Sequence, residues 1–136
     1  MRPLLIDTNV YVGFMRGDQA LVQVMRYAER IYLNSIVLGE LLAGFTVGSR
    51  EAQNRAELSQ FLNSPRVDVL PISAETAGCY ALIYAALRTK GKPIPADVLW
   101  IAASALEYGT GLVSLDAHFG QVDGLHCGQR LEDFLP

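Results

Sequence analysis

Histidine and cysteine are scarce in this chain, two of each, and their placement excludes a soft-metal centre. Cys79 and Cys127 form no CxxC pair and have no histidine at metal-ligand spacing, so they read as free thiols. Long apolar runs are missing too. Ile36 to Leu38 and Val98 to Ala103 stop at polar or charged residues well short of membrane-spanning length, and no basic segment leads into a cleavable apolar one; a soluble, cytoplasmic protein is expected. Without an internal repeat, a low-complexity tract or a Ser/Gly linker, residues 1–136 are expected to form a single domain. Positive charge is in deficit, 11 Lys and Arg against 14 Asp and Glu for a net −3. That is the wrong sign for a nucleic-acid partner unless the acids have a task of their own.

What the sequence does have is alternation. Hydrophobic residues make up 51% of it, ample for a packed core. Short apolar runs at Leu4 to Ile6, Ile31 to Leu33, Val67 to Leu70 and Leu112 to Leu115 are strand-length, with a weak fifth near Leu125 to Cys127. Helical patterns lie between them. Asp18 is placed to cap a crossover helix whose Leu21, Val24, Met25 and Ala28 share a face. Asn34 or Ser35 can cap a helix to about Val47, and Ser49 another whose Leu58, Phe61 and Leu62 make an apolar stripe. Ser73 opens a helix with Ala77, Tyr80, Ala81, Tyr84 and Arg88 on one face, closed by Gly91. After Pro93 and Pro95 a last helix starts near Ala96, turns Val98, Ile101, Ala102 and Ala105 inward and stops at Gly109. Parallel strands need helical crossovers that cover both sheet faces. The pattern therefore predicts a three-layer α/β/α sandwich around a central, mainly parallel sheet of four or five strands.

In such sheets ligands gather beyond the carboxyl ends of the strands. Asp7 directly follows Leu4, Leu5 and Ile6, and Asp116 directly follows Leu112 to Leu115, so both belong to that rim. Glu40 lies in a helix among Ile36, Val37, Leu41 and Leu42. The small Ala43 and Gly44 beside it would let that helix approach the sheet. Asp97 opens the helix after Pro95, where the partial positive charge of the helix N-terminus favours an anion. Singly, each acid has an ordinary structural role open to it: a local turn for Asp7 and Asp116, a cap for Asp97, a solvated tip for Glu40. Jointly they carry a cost. Carboxylates about 4 to 6 Å apart repel by roughly 3 to 4 kcal/mol per pair at an effective dielectric near 20, and divalent cations reverse that sign. Hard oxygen donors suit Mg²⁺ or Mn²⁺. Such ions can activate water and stabilise charge on a phosphodiester during in-line displacement. Setting the four acids aside turns the balance of −3 into +1 for the rest of the chain. Arg16, Lys90 and Lys92 are the bases nearest the rim in sequence and could hold substrate phosphates, though solvated surface charge is an equal account of them.

Asp7-Thr8-Asn9 after the first strand, Glu40 within Leu38-Gly39-Glu40-Leu41, Asp97 within Ala96-Asp97-Val98-Leu99-Trp100, and Ser114-Leu115-Asp116-Ala117-His118-Phe119 together resemble the PIN domain. Their order and spacing are similar to the VapC branch, the toxins of toxin-antitoxin pairs, over essentially the whole chain. The resemblance implies a Mg²⁺- or Mn²⁺-dependent endoribonuclease with Asp7, Glu40, Asp97 and Asp116 as catalytic, metal-binding acids, and with Thr8, Asn9 and Ser114 orienting them. It also implies an RNA substrate, a homodimer and a cognate VapB-like antitoxin. The sequence departs from the usual pattern at Ser114, where threonine is common, and around Asp116, where polar or basic neighbours are often found.

Trp100 is expected to pack in the core rather than stack on a base. His118 and His126 carry little weight as general acids. Among rivals, a haloacid-dehalogenase-like phosphotransferase needs a second acid two residues after the first, and Asn9 stands there. A receiver-like domain needs a late lysine, whereas Lys90 and Lys92 precede the last strand. A PIN-like module that binds RNA or protein without cutting is the remaining alternative.

Overall fold

The computed structural model describes residues 1–136. At its centre is a five-stranded sheet, all parallel, in the order β3-β2-β1-β4-β5. β1 is Leu4–Ile6, β2 Ile31–Asn34, β3 Val67–Leu70, β4 Gly111–Val113 and β5 Cys127–Gly128. Leu4, Leu5 and Ile6 are all fully buried, as a central parallel strand covered on both faces requires. Leu4 pairs with Ile31 on one side and with Gly111 on the other. The close strand and helix packing at Gly111 leaves no room for a side chain, since a Cβ would come within 2.8 Å of Leu4 and 3.2 Å of Phe134.

Six helices flank the sheet: α1 Thr8–Met15, α2 Gln19–Tyr27, α3 Ser35–Val47, α4 Glu51–Leu62, α5 Ala74–Lys90 and α6 Ala96–Tyr108, with short 3₁₀ turns at Ala117–Gln121 and Leu131–Phe134. Most ends follow from local chemistry. Asp18 caps α2, Asn34 caps α3, and Ser73 and Thr76 form a reciprocal capping box on α5. Gly91 and Gly109 end α5 and α6 at φ of 68° and 65°, a left-handed turn that a side chain resists.

α1 is a helix for which the sequence gave no expectation; it is apolar nearly all round, so it carries no amphipathic signal. Three expectations need correction. Ser49 does not cap α4, which begins at Glu51 behind Arg50 without a side-chain cap; the Arg50 side chain reaches Gln53 instead. The inward face of α5 is Thr76, Ile83 and Leu87, while Ala77, Ala81 and Tyr84 are exposed. Finally, β4 ends at Val113, and Leu115 lies outside it with 47% of its surface exposed.

The chain runs from β1 outward through β2 to β3, then returns to place β4 on the other side of β1. The crossovers leaving β1 and β4 thus diverge, and the carboxyl ends of these two neighbours frame a crevice.

Candidate active site

Asp7 stands at that crevice as the first residue after β1, and is 5% exposed. It caps α1, its Oδ1 accepting from the Val10 backbone N–H at 3.1 Å. Its Oδ2 accepts a short hydrogen bond from the Ser114 hydroxyl, just past β4. Ser114 Oγ in turn accepts from the Asp116 N–H at 2.9 Å, so one hydroxyl ties the two strand-end acids together. Asp116 turns the chain into the 3₁₀ segment, its Oδ1 accepting from the His118 N–H at 2.8 Å and lying 2.7 Å from the His118 ring. His118, given little weight from the sequence, therefore touches a site carboxylate directly.

Glu40 comes from α3. Thr8, the first residue of α1, donates its hydroxyl to Glu40 Oε1 at 2.6 Å. Ala43 and Gly44 do not draw α3 onto the sheet, as the sequence suggested; both face outward, and a side chain on Gly44 would meet open space. Asp97 sits in the first turn of α6 but does not cap it; the N-cap residue is Pro95, without a side-chain hydrogen bond. Asn9 lines the same cavity and is exposed. It makes no hydrogen bond to any of the acids, whereas Thr8 and Ser114 do.

Asp7, Glu40, Asp97 and Asp116, four residues spread over the chain, line one open cavity of about 170 Å³ with Val98, Ile101 and Phe119 as its apolar floor. Their proximity is felt electrostatically. Burial pushes the Asp7 carboxyl above its ordinary range; the donors Ser114 and Val10 oppose this, and the Asp116 charge adds to it. Glu40 is raised too, by burial first, against the Thr8 hydroxyl, and then by Asp97 and Asp7. No lysine or arginine forms an ion pair with any of the four. Four carboxylates with no lysine or arginine partner are a donor set that fits a hard divalent cation. It is not a finished cage, since no three of the chain's acids, histidines or cysteines stand together in ion-binding geometry.

One residue that the sequence offered only as a cap organises the site from behind. Asn34, 0% exposed, ends β2. Its Oδ1 accepts from Val37 N at 3.0 Å, starting α3, while its Nδ2 donates to Ser104 Oγ at 3.0 Å on α6. The helix carrying Glu40 and the helix carrying Asp97 are thus fastened to one side chain. An asparagine between an apolar strand and a helix was visible in the sequence; its second partner, 70 residues on, was not. Trp100 packs against Tyr80 of α5, with ring centroids 4.2 Å apart, and takes no part in the cavity.

Comparison with known proteins points the same way. The sequence profile of the PIN domain matches residues 4–125. Ribonuclease VapC1 of Rickettsia felis is 30% identical over 125 residues, covering 90% of this chain and 92% of that protein. In fold, the chain is similar to the crystal structure of VapBC2 from Rickettsia felis bound to a DNA fragment from its promoter, with a TM-score of 0.85 at 24% identity over 94% of this chain and 98% of that one. FitAcB from Neisseria gonorrhoeae gives a TM-score of 0.77 at 26% identity over 90% and 94%.

Proposed function

The chain belongs to the PIN-domain family, and from that premise we propose that it is a divalent-cation-dependent endoribonuclease, the toxin of a VapC-like toxin-antitoxin pair. One observation carries the reading: four acids distant in sequence line a single small cavity at the carboxyl ends of β1 and β4 with no lysine or arginine paired to any of them. Asp7, Glu40, Asp97 and Asp116 would hold Mg²⁺ or Mn²⁺. The bound ion would supply Lewis acidity toward a phosphodiester and a nucleophilic water at neutral pH. Ser114 fixes Asp7 against Asp116, and Thr8 fixes Glu40. Preorganised carboxylates need not be gathered at the moment of reaction, which is where such sites gain rate.

A VapB-like antitoxin is the proposed partner, supported by the VapBC assembly named among the similar structures. A homodimer is the proposed assembly, and Leu82 on α5, 74% exposed, is an apolar side chain that such a contact would cover.

The test is direct. Purified protein should cleave single-stranded RNA with Mg²⁺ or Mn²⁺ and not with EDTA, and Asp7→Ala and Asp97→Ala should lower the rate at least about a hundredfold, the scale of removing one preorganised electrostatic group. Intact RNA across both ions, from protein shown to be folded, would leave the non-catalytic binding module as the better account.

A further inference from the structure

A cavity built from carboxylates repels the strand it is proposed to cut, so cationic side chains must receive the phosphates on either side. The structure separates the three bases the sequence offered. Lys90 is occupied, its Nζ 2.7 Å from Asp123 and 3.1 Å from the Gln121 carbonyl, and Lys92 lines neither the acid cavity nor the groove beside it. Arg16 is different. It lines a groove of about 480 Å³ between α1, α3 and α4, and this groove runs into the acid cavity through Thr8 and Glu40, which belong to both.

Arg50 lines the groove as well, with Gln53 and Asn54 from the first turn of α4 beside it. Neither arginine is paired with a carboxylate, and the one side-chain partner of Arg50 is the Gln53 amide oxygen. Phe45 offers a half-buried ring to the groove. Tyr11 lies below it, its phenol pushed up to about 12 by burial and by Glu57, the groove's own acid, and so remains a hydrogen-bond donor. Cations for a phosphate, amides for base edges and an aromatic face are the elements by which proteins hold unpaired nucleotides.

We propose that this groove holds the stretch of single-stranded RNA adjoining the scissile bond. Arg16 and Arg50 hold its phosphate, and Gln53 and Asn54 read its base and so set the cleavage sequence. The proposal rests on the nuclease reading above and extends it to substrate choice. Gly44 provides a steric probe: it lines the groove, and a Cβ there meets no atom within 4 Å. A larger residue would therefore fill the groove while improving the helix.

The experiment uses the whole protein and a fluorescently labelled, mixed-sequence single-stranded RNA oligonucleotide. Binding is measured by anisotropy across salt in an Asp97→Asn background, and cleavage with Mg²⁺ in the wild-type background. Arg16→Gln and Arg50→Gln should each lower the slope of log affinity against log salt by about 0.7, the value for one lost single-strand phosphate contact. Both should raise KM roughly fivefold to tenfold while changing kcat far less, the mark of lost binding shared by ground and transition states. Gly44→Leu should raise KM similarly, and Gln53→Ala or Asn54→Ala should change which base flanks the cuts. Unchanged salt slopes and KM in the arginine variants and in Gly44→Leu would overturn the proposal, and would point to a groove occupied by a protein segment instead. If the wild type cleaves nothing, the nuclease reading fails, yet the salt slopes still decide whether RNA lies in this groove.

Discussion

Asp7 is the most confined of the four acids: it is buried, whereas Glu40, Asp97 and Asp116 are partly open to solvent. Burial raises its pKa and that of Glu40, and the direction fixes a pH dependence. A carboxyl whose folded value lies above its unfolded one binds its proton more tightly in the native state, so stability falls as pH rises from the unfolded value through the folded one. Metal-free protein should therefore lose stability as the pH rises above about 4, the ordinary carboxyl value. Glu51, Glu75 and Asp133 have lowered values and act in the opposite sense, at more acid pH. Asp7→Asn isolates the effect. In EDTA at pH 7 its urea midpoint should equal or exceed that of the wild type, and the gap should close as the pH approaches 4; a variant less stable at pH 7 than at pH 4, relative to wild type, would contradict this account. The position of Asp7 was legible in the sequence because an acid ending an apolar strand is conspicuous, and Asp116 was found by the same sign although β4 stops three residues before it. The part of Ser114 in joining them came only through the family resemblance, because it bonds Asp7 across 107 residues and no local pattern marks it.

At the level of elements, Asn34 joins α3 to α6. Truncation to Ala removes the α3 cap and leaves Val37 N–H and Ser104 Oγ buried without their partner, at a cost on the order of 2–3 kcal/mol. Asn34→Ser should recover part of this, since serine caps well but cannot span to Ser104. Denaturant titration of the two variants separates the cap from the tie; equal losses would mean that the link to α6 contributes nothing. Elements with a sharp stop or a one-sided pattern, such as α2 and α6, were readable from the chain. α1 and the face of α5 were not, for related reasons. α1 has apolar residues on every side. On α5 they also fall on more than one side, and only the neighbours decide that Ile83 and Leu87 go inward while Leu82, 74% exposed, does not.

For the molecule as a whole, the proposed cation site would make folding and ion binding one equilibrium. An ion that binds only the native cavity adds about 2.7 kcal/mol at a hundred times its Kd, which for a domain of this size is a rise in Tm of about 10 °C. Thermal unfolding with Mn²⁺ or Mg²⁺ against EDTA should show such a rise in the wild type and lose most of it in Asp7→Asn. A wild type whose Tm ignores both ions would remove the basis for assigning the cavity to a cation. The sheet order was not readable from the sequence. Alternation gives parallel strands, but the return that places β4 beside β1 depends on how helices cover the two faces.

That return bears on synthesis. Asp7 leaves the ribosome before Asp116, and β4, the strand that brings them side by side, follows β1, β2 and β3 in chain order. A partly translated chain can carry three of the acids and still lack the pocket. Whatever chemistry the protein performs is withheld from its own nascent form until β4 has been made and has docked beside β1.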